Sequence, residues 1–123
     1  MPDERFNNPS FQTSLDGWVV NGATWDSTYQ GRCALNGGSI RQHISLDRVK
    51  KIIANVSTGA VRIQVDGITI ANISADSSTS YGEVANPGMH WVEFQDLAGN
   101  SVLSSVSAPG SHYPPLANFS ASP

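Results

Sequence analysis

Val61-Arg62-Ile63-Gln64-Val65-Asp66-Gly67-Ile68-Thr69-Ile70 is the stretch that decides the fold. Apolar and polar residues alternate without a break from Val61 to Val65, the period of a strand with one buried face. Asp66-Gly67 then stands between two such runs. A type I′ turn needs positive φ at both central residues, which Asp and Gly tolerate, so the stretch reads as a β-hairpin. Across a two-residue turn Val65 opposes Ile68, and Ile63 opposes Ile70. Val61, Ile63, Val65, Ile68 and Ile70 then share the buried face, and Arg62, Gln64 and Thr69 share the other. Ile73 falls out of that phase, so a bulge or the strand end is expected beyond Ile70.

The same alternation recurs on both sides of the hairpin. Ile40, Gln42, Ile44 and Leu46 lie on one face of a strand, with Arg41, His43 and Ser45 opposite. Val92 and Phe94 alternate with Trp91, Glu93 and Gln95, and Val102 to Val106 forms a last strand. Val49 to Val56 is apolar on both faces near its centre, as in a strand inside a two-layer structure. Asn36-Gly37-Gly38, Ser57-Thr58-Gly59, Asn86-Pro87-Gly88 and Ala98-Gly99-Asn100 supply turn chemistry between the runs. No stretch of ten or more residues carries a helical period with a cap at each end. Turns at this density imply roughly eight to ten short strands, hence an all-β antiparallel two-sheet sandwich or a barrel. Phe11, Trp18, Leu35, Ile44, Ile52, Val56, Ile63, Val65, Ile70, Val92, Phe94 and Val106 form the expected core. It is large enough to hold one domain together without disulfides.

Composition agrees and excludes several function classes. The chain has 123 residues, 14% of them charged, with 11 Gly and 7 Pro. That is one turn-rich domain, neither a helical bundle nor a charged disordered tail. A net charge of −3 gives no basic face for nucleic acid. No apolar run reaches the ~20 residues of a spanning helix, so no membrane insertion is expected. Cys33 is the one cysteine, which rules out an internal disulfide and a multi-cysteine zinc site. Within Cys33-Ala34-Leu35 it reads as a small buried hydrophobe. Met1 to Arg5 lacks the basic start and apolar run of a signal peptide, leaving a cytoplasmic protein or a piece of a longer secreted chain. Three Asn-X-Ser sequons, at Asn55, Asn72 and Asn118, are compatible with the second alternative. From about Ser107 the alternation stops, and Ser107-Ala108-Pro109-Gly110-Ser111-His112-Tyr113-Pro114-Pro115 reads as an extended linker.

Two segments carry resemblances. Asn7-Asn8-Pro9-Ser10-Phe11-Gln12, Asp16-Gly17-Trp18, Gly22, Trp25, Gly37-Gly38-Ser39-Ile40 and Gln42-His43-Ile44-Ser45-Leu46 together resemble the opening of galactose-binding-like jelly rolls, among them carbohydrate-binding modules. The likeness covers roughly residues 5 to 107. It implies a jelly roll. Asp96-Leu97-Ala98-Gly99-Asn100-Ser101 looks like an Ig-like repeat instead and keeps an Ig-like sandwich as the alternative. Pro114 to Pro123 resembles the first strand of a PKD domain, through Pro115, Ala117, Asn118, Phe119, Ala121 and Pro123. Residues 1–107 are therefore expected to form the jelly roll, and 108–123 a Pro-rich linker with the start of a PKD-like domain. The resemblance implies part of a modular protein, extracellular or on the cell surface, with the PKD-like domain as its neighbour.

No His-Glu-x-x-His, Gly-x-Ser-x-Gly, phosphate-cradling loop or Cys-x-x-Cys occurs, and no carboxylate pair stands out for glycosidic chemistry. The expectation is a non-enzyme. Jelly rolls of the family that the first segment resembles often hold a structural calcium, with an acid after the opening Phe and an Asp in the last strand. Here those places hold Gln12 and Ser104 or Ser105, so the charge that calcium prefers is missing. No cofactor is expected, although Asp16, Asn7 and backbone carbonyls leave a weaker calcium site open. Sugar binding needs an aromatic surface beside groups that read hydroxyls. The candidates are Trp25 and Tyr29 around Asp26, the outward residues Arg41, His43, Arg62 and Gln64, and Trp91 alternating with Glu93 and Gln95. Packing remains open for Trp25 and Tyr29, as does capping of the core for Trp91. The expected function is binding of glycans or cell-surface and envelope components. The alternative is a structural or adhesive spacer of a surface-layer or envelope protein, without a small-molecule ligand.

Overall fold

The computed structural model describes residues 4–27, 31–46, 49–75, 79–83 and 88–108. They form ten strands: β1 (Val19–Asn21), β2 (Thr24–Asp26), β3 (Arg32–Ala34), β4 (Ser39–Leu46), β5 (Val49–Thr58), β6 (Ala60–Val65), β7 (Ile68–Ser74), β8 (Thr79–Glu83), β9 (Gly88–Asp96) and β10 (Val102–Ser107). Two five-stranded antiparallel sheets result. The first runs β1-β4-β9-β6-β7 and the second β2-β3-β10-β5-β8. The eight strands from β3 onward pair first with last, second with seventh and third with sixth, and only β6 and β7 are sequence neighbours side by side. That is the strand order of a jelly roll. An Ig-like sandwich pairs its first two strands in one sheet. Here β3 and β4 lie in different sheets, so the Ig-like alternative falls away.

The hairpin forms where its sequence puts it, with a different register. Asp66 and Gly67 both take positive φ, 51° and 83°, as a type I′ turn demands. Val65 faces Ile68 and Gln64 faces Thr69, but Ile63 faces Ala71 rather than Ile70. Ile70 is the extra residue of a β-bulge, placed one step earlier than Ile73's phase implied. The bulge resets the alternation, so Ile73 lands opposite Val61 and is buried. Two expected core positions change as a result. Ile70 is only half-buried against the core. Ile68 sits on the edge strand beside the turn, with no strand beyond it, and is 70% exposed.

The rest of the expected core is buried, and it gathers more members: Phe6, Ile40, Leu46, Ala54, Leu103 and Cys33. Burial pushes the Cys33 thiol up to about 12, so it is an inert hydrophobe here. One end of the core is aromatic. Phe6, Phe11 and Phe94 surround Trp18 at centroid distances of 5.0, 5.8 and 6.0 Å. The leading segment is held there by Gln42, which faces inward from β4. Its amide accepts from the Asn7 N–H (2.7 Å) and donates to the carbonyls of Asn7 (2.9 Å) and Gly17 (3.1 Å). The same segment then runs beside β10. Arg5 N–H donates to the Ala108 carbonyl and Val106 N–H to that of Pro9. Glu4 accepts from the Ala108 N–H (2.7 Å) and from the Ser107 hydroxyl. Ala108 is itself buried, so packing runs one residue past Ser107. The linker from Pro109 and the PKD-like strand, together with Tyr29, lie outside the described residues.

Candidate functional site

The outer side of the first sheet brings five of the candidate residues into one layer. Side chains directly opposite in neighbouring strands share a face. Arg41 pairs with Glu93, and Glu93 with Gln64; Ser39 pairs with Gln95, and Gln95 with Arg62; His43 pairs with Trp91. Arg41, His43, Trp91, Gln64 and Arg62 therefore lie together across β4, β9 and β6, with Glu93 and Gln95 between them. The inward partners of this layer, Ile40, Ile44, Val92, Phe94 and Ile63, are buried, which is what fixes the outward phase.

Trp91 stands at one end of the layer and is 39% exposed. The His43 ring stacks on it at 4.9 Å and 18°, and the Arg41 guanidinium lies over it at 4.8 Å. His43 and Arg41 are two residues apart on β4, about 7 Å, so both reach the ring of the one tryptophan across from them. Trp91 thus carries a cation and an imidazole against its ring, rather than standing as a bare stacking platform. On the far side, Arg62 Nη1 reaches Gln95 Oε1 at 3.5 Å, and Gln64 Nε2 reaches Thr69 Oγ1 at 3.3 Å. Glu93 accepts from the Ser39 hydroxyl at 2.8 Å.

A contact with no trace in the sequence pattern fixes the edge of this layer. Asp66 is more than a turn residue. Its carboxylate bonds His90 Nδ1 and accepts from the Trp91 N–H at 2.9 Å, while its own N–H donates to the Trp91 carbonyl. The His90 hydrogen bond, followed by that of the Trp91 N–H, holds the Asp66 carboxyl below its ordinary value. The hairpin turn is thereby tied to β9 at His90 and Trp91. Asp66 and His90 are 24 residues apart, so only the pairing of β6 with β9 reveals the contact.

Trp25 does not join the layer. It lies on β2 in the second sheet, opposite buried Cys33, and its indole N–H donates to the Phe11 carbonyl at 2.7 Å. A three-residue strand at a sheet edge has too short a pattern to show its phase, which is why the residue was open in the sequence. The places that the family resemblance gives to calcium ligands hold a poor donor set for that ion. Gln12 is uncharged, and the Ser104 and Ser105 hydroxyls are engaged with Asn55. Among the described residues no three His, Cys, Asp or Glu side chains converge as a metal site.

No protein-family model matches the chain, and no curated protein matches it. Among solved structures it is similar to the CBM36-1 domain of a multidomain xylanase from the hindgut metagenome of Trinervitermes trinervoides. The identity is 12%, and the match covers 85% of this chain and 96% of that domain, with a TM-score of 0.55. The likeness is one of fold: two antiparallel sheets in a jelly roll.

Proposed function

We propose that the chain is a non-catalytic carbohydrate-recognition module that reads its glycan with the outer side of the first sheet. The observation that carries this is Trp91, exposed and flanked by Arg41 and His43, in a layer that also holds Gln64 and Arg62. Such a layer offers C–H-compatible aromatic edge, amides and fork-like cations side by side, the groups that sugar hydroxyls and ring faces require. The fold shared with a module whose name marks it as carbohydrate-binding adds support. The setting in this reading is extracellular or cell-surface, with a PKD-like neighbour following the Pro-rich linker and no bound cofactor.

A glycan array with the 123-residue chain, run with and without calcium, tests the reading. Binding is expected without calcium and is expected to vanish in Trp91→Ala while Trp25→Ala retains it. A stable fold that stays silent across the array sinks it. The spacer reading has one observation in its favour: both exposed tryptophans have internal partners, Trp91 in Arg41 and His43 and Trp25 in the Phe11 carbonyl. A silent array would leave that reading standing.

A further inference from the structure

We propose that the ligand of this face is an acidic oligosaccharide whose hexuronate carboxylates are taken by Arg41 and Arg62; the inference rests on the carbohydrate reading above. The chain as a whole is acidic, with a net charge of −3. Yet the two arginines on this face flank β9 from either side, and neither has a carboxylate partner among the described residues. Two acids stand near them and keep their charge, but neither forms an ion pair with either arginine. Glu93, which faces Arg41 and Gln64 across the strands, accepts from the Ser39 hydroxyl. Asp66, at the corner, is turned to His90 and to the Trp91 N–H.

Each arginine is suited to an incoming anion in its own way. Arg41 is exposed and already ordered by lying over Trp91, so little side-chain freedom is lost when it binds. Arg62 is half-buried and under-coordinated. Its Nη1 meets Gln95 only at 3.5 Å, and its Nε, shielded from solvent, has no hydrogen-bond partner, so a ligand meets the guanidinium at its tip. A planar guanidinium takes a carboxylate through two parallel hydrogen bonds, which a neutral hydroxyl cannot match. Arg41 and Arg62 are two strands and two residues apart, about 12 Å between Cα atoms. That is wider than one sugar ring, so the two arginines address carboxylates on different sugars of one chain. Gln64, Gln95 and His43 lie between and beside them, where neutral hydroxyls of that chain would pass.

Calorimetric titration of the 123-residue chain with an α-1,4-linked hexagalacturonate, and with the same oligomer after reduction of its carboxyls to alcohols, tests the assignment. The uronate is expected to bind, the reduced oligomer at least tenfold more weakly. Arg41→Gln and Arg62→Gln should each weaken the uronate about tenfold, roughly the loss of one charge-assisted hydrogen bond. Binding should also weaken as salt rises from 0.05 to 0.5 M. Arg41 is exposed, so its variant keeps the test open if Arg62→Gln unfolds. Equal affinity for the reduced oligomer, with the Trp91→Ala loss retained, overturns the acidic assignment and leaves the carbohydrate reading intact. Preference for a sulfated oligomer over the uronate overturns the carboxylate. No binding of any glycan overturns both.

Discussion

Gln42 shows how one buried polar side chain can organise a segment that has no strand of its own. Residues 4 to 18 reach the core without forming a strand, and the Asn7 N–H and carbonyl would lose these partners if Gln42 were absent. Leaving such part-buried groups without a partner costs up to about 1–3 kcal/mol. Gln42→Ala is therefore expected to lower the unfolding free energy by about 2 kcal/mol, read as a lower urea midpoint with the slope unchanged, while far-ultraviolet circular dichroism stays that of a sheet protein. Asp96 does comparable work at the other end of the molecule. Burial of its carboxyl disfavours ionisation, but hydrogen bonds from Ser101 and from the N–H groups of Gly37 and Ala98 outweigh it and hold its pKa down to about 2. A carboxylate whose folded pKa lies below its ordinary 3.8 contributes stability above 3.8 and loses it as pH falls towards 2. Between pH 6 and pH 2.5 the native chain should lose more stability than Asp96→Asn. Equal losses would show that the carboxylate is not the group responsible.

At the scale of the element, the hairpin was legible because its determinants are local. Two positive-φ residues between alternating runs leave few other turns open. Gly67 carries most of that constraint, and a β-branched side chain at φ 83° costs about 1–2 kcal/mol. Gly67→Val should show that loss in thermal unfolding, and an unchanged midpoint would mean that the turn is not what sets the hairpin. The register was less legible. Alternation from Val61 to Val65 and from Ile68 to Ile70 is compatible with an unbroken ladder. The bulge at Ile70 exists because Ile73 must reach the core opposite Val61, which is a demand of the partner layer. Ile73's broken phase was the one trace of it in the sequence. The inward and outward faces of β4 and β9, by contrast, follow their patterns residue by residue.

At the scale of the molecule, the outward phase of Arg41, His43, Arg62, Gln64 and Trp91 could be read one strand at a time, while their assembly could not. Only the strand order places β9 between β4 and β6, some thirty to fifty residues away along the chain. For the same reason the sequence grouped Trp25 with residues that the fold assigns to the opposite sheet. The cluster of His43, Trp91 and Arg41 is a product of register, and so is the tie from Asp66 to His90.

Glu4 and Arg5 meet Ser107 and Ala108 at the end of β10, so the chain enters and leaves the sandwich at one place. Within a longer polypeptide, such a body hangs from its neighbours like a pendant, instead of standing in line between them. The point of suspension belongs to the sheet that contains β10. The layer that holds Trp91 looks out from the other sheet.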